Sequence, residues 1–532
     1  MIDRGPLGRV VVAEPFDARG IAVLERAGID VVSCVGAPPA ALHEALRDAR
    51  GLIVRSETRV DDRLLAIAPR LEVVARAGVG VDAIDVAAAT AAGIVVVNTP
   101  SANTIAATEH TFALMLAALR HVSSAHATVR TGTWERTPFV GRELFGKTLG
   151  IVGLGRIGSG VAVRAAAFGA TVVAYDPYVP ASRAGAIGVE LLEFDALLER
   201  ADLVTLHVPL TPQTHGMLGE RALAKMREGA VLVNCARGAV VDLDALLAAL
   251  ESGRLLAAAV DVVAEEPPPP GSPSARVLAH SRVVATPHLG GSTVEALERI
   301  ALELADDVVR VLGGRPASGA VNVPTLGGAG AQTAGGFVDL AFRIGAMLPQ
   351  LFDEAVREEL ALTLQGDLAE IEADPFVAAV LAGALPFVTD RRVTMVNAAG
   401  VARELGVRTT VLREGPARGF RSSLGLAAGE HRITGTVLHD GARIVEIDGF
   451  EVDAVAEGSM LVTRHRDVPG MVGRIGTILG DARVNISTMQ VARGRPGGDA
   501  MMVLDVDRAV DRAVLDAIAG VEGIASVRSI VL

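Results

Sequence analysis

Leu149-Gly-Ile-Val-Gly-Leu-Gly-Arg-Ile-Gly158 sets Gly153, Gly155 and Gly158 in a G-x-G-x-x-G spacing directly after a strand-like run. That spacing serves a dinucleotide. Gly153 makes the tight turn, Gly155 lets backbone approach a pyrophosphate, and Gly158 lets helix and strand pack closely. Backbone N–H groups near Arg156 and Ile157 would then hold phosphate oxygens at a helix N-terminus. Asp176 closes the next strand, at the spacing of about 20 residues where an acid meets the adenosine ribose. An acid there favours NAD over NADP, although Arg183 further along leaves NADP open.

Three later segments carry an Arg, a carboxylate and a His at strand ends: Val233-Asn-Cys-Ala-Arg237-Gly, Val260-Asp261-Val-Val-Ala-Glu-Glu266-Pro and Thr286-Pro-His288-Leu-Gly. Carboxyl ends of parallel strands are where open α/β sheets bind ligands. This set suits oxidation of a 2-hydroxy acid. Arg237 can clamp a carboxylate or carbonyl. His288 can take the hydroxyl proton as hydride leaves. Glu266 can orient the imidazole and favour the imidazolium that forms. Each residue alone has a plainer use, as a solvated surface charge or, for His288, a helix cap.

The surrounding elements must position these groups. Val10–Ala13, Gly51–Arg55, Val73–Ala75 and Val95–Asn98 read as buried parallel strands, with helices at Ala18–Ala27, Ala40–Arg50 and Asp82–Ala92. One long helix is expected over about Thr104–Arg130. A second α/β unit follows, with strands at Leu149–Val152, Thr171–Tyr175, Leu203–Leu206, Val231–Asn234, Ala257–Val262 and Val283–Ala285. A helix over about Val294–Leu312 is expected to pack back on the first unit. Gly313–Gly336 reads as a linker, with a strand possible at Ala320–Pro324. Strands are then expected at Leu360–Leu364, Val393–Val396, Thr409–Leu412, Arg432–Val437 and Ala442–Ile447, and helices at Gly336–Leu351 and Val396–Leu405. The last stretch, Ser459–Leu532, reads β-α-β-β-α-β, the ferredoxin-like plan.

Composition bounds the class. The 532 residues allow three or four domains, and 21% charged residues argue against general disorder. Half the chain is hydrophobic but only 3% is aromatic, which suits parallel strands and Ala-rich crossover helices. The uncharged windows Val86–Thr108 and Pro316–Val338 are too polar or Gly-rich to span a bilayer. No basic-then-apolar signal opens the chain, so a soluble cytoplasmic protein is expected, with no membrane partner. A net charge of −12 with no long basic run disfavours nucleic acid. Cys34 and Cys235 make no disulfide framework and offer no metal-ligand spacing.

The chain resembles the D-isomer-specific 2-hydroxyacid dehydrogenases. The matching text is Arg76-Ala-Gly-Val-Gly-Val-Asp82, Asn98-Thr-Pro, the glycine loop, Asn234-Cys-Ala-Arg-Gly238, Asp261-Val…Glu266-Pro and Pro287-His-Leu-Gly290. The likeness is to members that oxidise 3-phospho-D-glycerate to 3-phosphohydroxypyruvate at the start of phosphorylated L-serine synthesis. It implies Arg237 as the substrate-orienting residue, Glu266 as partner of the His, and His288 as acid/base. Glu266 is chosen over Glu265 because the family's acid directly precedes Pro. The resemblance assigns NAD contacts to Gly153, Gly155, Arg156, Ile157, Gly158, Asp176, the Val208 turn, Cys235, Ala236, Asp261 and Gly290, with Cys235 acting through its backbone. It offers Arg55, Arg76 and Arg136 to the substrate phosphate, Arg136 with the option of reaching a neighbouring subunit. Surface salt bridges are the alternative for all three. Asn103 and the Ala77–Gly80 backbone, including Gly78 and Val79, are offered to the carboxylate.

Residues 459–532 resemble an ACT domain, marked by His465-Arg-Asp467-Val-Pro-Gly470 and Val484-Asn485-Ile486. That resemblance implies L-serine as an effector held by Asp467 and Asn485 across a paired-domain interface, with His465 as a third contact. The alternative has Asp467 as a helix cap and Asn485 as a turn residue. The segment 322–456 resembles an intervening domain, through Val396-Asn397-Ala and Gly435-Thr-Val-Leu. That resemblance implies an anionic effector bound by basic residues; Arg443 is present, but Phe450 and Val455 stand where such enzymes can carry arginines.

The expected class is therefore α/β, with two Rossmann/flavodoxin-like doubly wound lobes. Residues 9–108 and 290–316 make the substrate lobe and 109–289 the NAD lobe. An α+β intervening domain (322–456) and a ferredoxin-like ACT domain (459–532) follow. A homo-oligomer, as a tetramer, is implied by the resemblance. Two rival functions share the fold: another D-2-hydroxyacid dehydrogenase acting on glyoxylate or hydroxypyruvate, and an NAD-sensing corepressor.

Overall fold

A computed structural model describes residues 7–315, 317–324, 331–353, 356, 359–417, 419–439 and 441–532, without the side chains of 331–333. The described residues build four sheets.

The first contains β1 (Arg9–Val12), β2 (Asp30–Ser33), β3 (Ala49–Val54), β4 (Val73–Arg76) and β5 (Val95–Val97), in the order β2-β1-β3-β4-β5. All four pairings are parallel. This is the flavodoxin-like order. The helix Val294–Leu312 returns to this sheet. Its Ile300, Leu304 and Val308 share a core with Val10, Ile53 and Ala75.

The second sheet contains β6 (Thr148–Val152), β7 (Thr171–Tyr175), β8 (Glu190–Leu191), β9 (Leu203–Leu206), β10 (Ala230–Asn234), β11 (Leu255–Val260) and β12 (Val283–Ala285). Its order is β12-β11-β10-β9-β6-β7-β8, again parallel throughout. Strand order reverses between β6 and β9, so their carboxyl ends open a crevice there.

The expected long helix over Thr104–Arg130 is two helices, Thr104–Leu119 and Val122–Arg130. They break at His121, whose φ of 54° no helical residue adopts. The first helix is buried along much of its length, whereas the second has no buried residue.

The expected linker is partly ordered. Residues 317–324 form a strap on the edge of β5, where Val97 and Ala320 make an isolated antiparallel bridge rather than the expected strand. Asn322 closes it, accepting from Val96 N and donating to Ile94 O. Residues 325–330 lie outside the described residues, and a helix over Ala331–Leu351 follows.

The third sheet is mixed: β13 (Glu359–Gly366), β14 (Arg408–Glu414), β15 (Ser422–Ala428), β16 (His431–Leu438), β17 (Gly441–Ile447) and β18 (Phe450–Val455). The expected strand at Val393–Val396 is a turn before the helix Ala398–Glu404. Its polar groups are used elsewhere: Thr394 Oγ1 donates to Gly93 O and Asn397 Nδ2 to Ala91 O, both in the first lobe.

The fourth sheet is antiparallel, β20-β21-β19-β22, from β19 (Ser459–Arg466), β20 (Ile486–Arg493), β21 (Asp499–Val506) and β22 (Ile524–Val531). Helices Met471–Asp481 and Arg512–Ala519 cover one face through Leu461, Met502 and Leu504. The other face is not free. Met460, Val462, Met501, Val503 and Ile530 belong to the same core as Leu340, Ile344 and Met347. The last two sheets thus share one hydrophobic core. Among the described residues, no helix is long and apolar enough to cross a membrane.

Candidate functional site

The glycine loop sits in the crevice between β6 and β9. Gly153 has a φ of 93°, and a Cβ on it would lie 2.6 Å from His207 O and 2.9 Å from Val208 Cγ1. The Val208 turn thus closes directly over the loop. A Cβ on Gly158 would lie 2.0 Å from Gly153 O, so only glycine lets the helix start there. Gly155 differs: nothing stands within 4 Å of where its Cβ would be. It also begins the helix Arg156–Ala167 without a side-chain cap. Arg156 and Ile157 open that helix, so its first N–H groups face an approachable space, as a pyrophosphate requires. Asp176 accepts from Leu154 N at 2.8 Å and Tyr178 N at 2.9 Å, which ties the acid to the loop. Burial holds the His207 imidazole down at about 4, so it stays neutral beside the turn.

The candidate catalytic residues come together. His288 Nδ1 lies 2.7 Å from Glu266 Oε2. A carboxylate can only accept, so Nδ1 carries the proton of this bond, and in the neutral ring Nε2 keeps its lone pair. Val263 N donates to the other Glu266 oxygen at 3.1 Å, fixing the acid. His288 has a φ of 55°, uncommon for a non-glycine residue.

Asp261 organises the same turn. It is 3% exposed and accepts from Thr286 Oγ1 at 2.6 Å, Leu289 N at 2.7 Å and Gly290 N at 2.9 Å. His110 Nε2 lies 3.1 Å away. Burial pushes its carboxyl up, but these partners outweigh burial and hold it below the usual carboxylate range. His110 was not legible in the sequence as part of the site. It sits mid-helix in an apolar run, far along the chain from its partners.

At the end of β10, Asn234 pins the next turn, accepting from Ala236 N at 3.0 Å and donating to Arg237 O at 3.0 Å. Burial first, then Asp261, pushes the Cys235 thiol up to about 12 against the pull of Thr111, and this disfavours a thiolate there. Arg237 crosses to the first lobe, where Nε donates to Asp82 Oδ2 at 3.0 Å. A Cβ on Gly80 would lie 1.9 Å from Arg237 Nη2, so the guanidinium rests on bare backbone.

A cationic cluster surrounds that contact. Arg76 has its Nε sealed from solvent with no partner, while Nη1 donates to Ala77 O at 3.1 Å. Burial, Arg237 and Arg55 push its pKa down to about 10, against the pull of Asp82 and Glu14. A guanidinium stays charged at neutral pH regardless. The charge is therefore held where burial and two neighbouring guanidiniums disfavour it, with Nε unpaired. Gly78 has a φ of 145°, and a Cβ there would fall 1.4 Å from Arg76 Nη1, so this backbone lies against the guanidinium. The loop carrying Arg55 is held by Glu14, 5% exposed, which accepts from the backbone N–H of Arg55, Ser56, Glu57 and Thr58 at 2.9–3.1 Å. Asn103 Oδ1 is buried without a partner at the start of the Thr104–Leu119 helix. Unmet Arg and Asn groups fit an anionic, hydroxyl-bearing ligand.

Arg136 is elsewhere. It is exposed on the arm beyond Val122–Arg130, beside Trp134, which is 77% exposed.

In the fourth sheet, Asp467 is not a helix cap. The helix Met471–Asp481 starts at Gly470, with a φ of 88° and no side-chain cap. Asp467 Oδ2 instead accepts from Gly497 N at 3.2 Å and lies 3.5 Å from Arg493 Nη1. Asn485 is exposed beside the edge strand β20. His465 is 4% exposed, with Nδ1 3.2 Å from Thr463 Oγ1, so it packs inside the domain rather than facing a ligand. At the junction of the last two sheets, Arg443 pairs with Asp453 at 3.2 Å, and Arg464 lies over the Phe450 ring at 5.9 Å.

Three family models match along the chain. The NAD-binding domain of D-isomer-specific 2-hydroxyacid dehydrogenases matches residues 112–290. The D-3-phosphoglycerate dehydrogenase intervening domain matches 334–448, and the ACT domain 459–523. The chain is 40% identical over 525 residues to D-3-phosphoglycerate dehydrogenase of Synechocystis sp., covering 97% of this chain and 94% of that protein. It is 39% identical over 527 residues to that of Bacillus subtilis, covering 98% and 99%. Among solved structures, D-lactate dehydrogenase from Aquifex aeolicus, complexed with NAD and lactic acid, is 28% identical with a TM-score of 0.52. The match covers 57% of this chain and 96% of that one. The first two lobes therefore follow a common dehydrogenase plan, and the last two sheets extend it. The chain belongs to the D-3-phosphoglycerate dehydrogenase family, in the form that carries an intervening domain and an ACT domain.

Proposed function

We propose that the chain oxidises 3-phospho-D-glycerate to 3-phosphohydroxypyruvate with NAD, the first step of phosphorylated L-serine synthesis. The observation that carries this reading is the His288–Glu266 pair at 2.7 Å beside the Arg237–Arg76–Arg55 cluster. Gly153, Gly155, Gly158, Asp176, the Val208 turn and the Cys235–Ala236 backbone would hold NAD, with Asp261 and Gly290 at its nicotinamide end. Bound there, NAD would supply the acceptor for the hydride that leaves C2 of the substrate. His288 Nε2 takes the hydroxyl proton, and Glu266 stabilises the imidazolium that results. Arg237 holds the carboxylate and the developing carbonyl oxygen in line. Arg55 and Arg76 bind the phosphate, while Asn103 and the Gly78–Val79 backbone bind the carboxylate.

The regulatory half supports a finer reading. L-serine is the effector, bound by Asp467 and Asn485 where two copies of the fourth sheet meet, and the active form is a homotetramer. The exposed edge strand β20 supports such pairing. Arg136 serves a neighbouring subunit's site, which fits its exposed arm.

A substrate panel tests the proposal. With NAD and NADP in turn, 3-phosphoglycerate, lactate and glyoxylate are compared in steady state. Preference for 3-phosphoglycerate with NAD is expected. Turnover of glyoxylate or lactate alone would assign the chain to a sibling reaction.

A further inference from the structure

Resting on the dehydrogenase reading above, we propose that His110 is a positioning residue for hydride transfer, acting through Asp261 and Thr286 on the turn that carries His288. The proton inventory supports it. Thr286 has one hydroxyl proton and gives it to Asp261 Oδ1 at 2.6 Å. His110 Nε2 lies 2.9 Å from the same hydroxyl oxygen, which is left only to accept. Asp261 is ionised and also only accepts. His110 must therefore carry its proton on Nε2 and donate into the fork between Thr286 and Asp261.

That fork saturates Asp261 Oδ1, which also receives Leu289 N–H. Oδ2 receives Gly290 N–H alone and keeps one acceptor site. The carboxylate is thus fixed in rotation with its remaining lone pair on the Oδ2 side, the one available to a nicotinamide carboxamide. The same residue holds the turn through its backbone, since His288 N donates to Asp261 O at 2.8 Å. Loss of the His110 donor would leave Oδ1 one donor short and the Thr286 hydroxyl held by Asp261 alone, loosening the turn that carries His288.

Three variants test this with the full-length enzyme, NAD and 3-phosphoglycerate. His110→Ala removes the donor. His110→Gln places an N–H near the Nε2 position. His110→Asn is too short to do so. His110→Ala and His110→Asn are expected to lose about 10- to 100-fold in kcat, the range for one hydrogen bond to a charged group. KM for NAD should rise while KM for 3-phosphoglycerate stays near wild type. The primary deuterium isotope effect with C2-deuterated substrate should increase, because hydride transfer becomes slower. His110→Gln should return to within about threefold of wild type. The proposal is overturned if His110→Ala behaves as wild type, if Gln and Asn are equally impaired, or if activity merely tracks the folded fraction with an unchanged isotope effect. Should His110→Ala fail to fold, the Gln and Asn pair decides alone. An inactive wild type would overturn the dehydrogenase reading and this proposal together. An active wild type with an indifferent His110→Ala overturns this proposal only.

Discussion

Arg237 Nε lies 3.0 Å from Asp82 Oδ2, so the residue proposed to orient substrate from the end of β10 is held by a carboxylate of the opposite lobe. The pair is partly exposed, with 27% and 54% of the side chains accessible. Exposed pairs contribute little to stability. Its use is geometric: it sets the guanidinium over Gly80, at the mouth between the lobes. Asp82→Asn is therefore expected to leave the unfolding midpoint nearly unchanged while kcat/KM for 3-phosphoglycerate falls about tenfold through misplacement of Arg237. Steady-state kinetics beside a denaturant titration check this. Equal losses of stability and activity would contradict it.

Arg76 carries an unmet charge, and that has a signed consequence. Arg76→Met keeps volume and removes a guanidinium that burial, Arg237 and Arg55 all disfavour. The melting temperature without substrate should hold or rise. Activity on 3-phosphoglycerate should fall at least about 10-fold, the lower range for a charge-assisted contact. Differential scanning calorimetry and kinetics on one preparation check both halves. A clear drop in melting temperature would contradict the electrostatic account.

Glu14 links acid stability to the Arg55 loop. Burial raises its pKa, but the backbone N–H groups of Thr58, Arg55 and Glu57 outweigh that and lower it from the usual 4.5. A depressed carboxyl stabilises the fold fully above its unfolded value and loses that contribution as pH falls through its folded value. Glu14→Gln should thus be less stable than wild type near neutral pH, by about 1–3 kcal/mol. The gap should close as pH falls below about 4.5. Urea midpoints across that range check the sign. A gap that widens in acid would contradict it.

Asn485 tests the effector reading. Its side chain is exposed and far from the catalytic turn in sequence, so Asn485→Ala should leave uninhibited turnover unchanged. L-serine should then inhibit at least about tenfold less strongly than in wild type, as expected for one lost polar contact to a charged ligand. Coincident inhibition curves would contradict serine binding at this position.

Much of this was legible in the sequence because it rests on local pattern. The glycine loop, β7, β9, β12 and the helix Val294–Leu312 follow from runs and spacing within one element. Arg237 and His288 follow from strand ends, and Glu266 rather than Glu265 from the family resemblance. What was not legible depends on chain-distant contacts. Glu14, Asp82 and His110 act on residues from another lobe or another segment. The helix Asp374–Ala384 is buried almost all round, so it shows little amphipathic period. The break at His121 turns on a single left-handed residue. The Val393–Val396 run looks strand-like, but Thr394 and Asn397 bond to the Ala91–Gly93 turn instead.

The central claim is that His288, held by Glu266, moves the substrate proton during oxidation of 3-phosphoglycerate by NAD. It is tested most directly by measuring NADH formation from 3-phosphoglycerate with wild type and His288→Ala side by side, with NAD binding titrated on both. Robust turnover by wild type, a loss of about 10²–10⁴-fold in kcat for His288→Ala, and matching NAD affinities are expected. No turnover by wild type, an active His288→Ala, or loss of NAD binding together with activity would contradict the account.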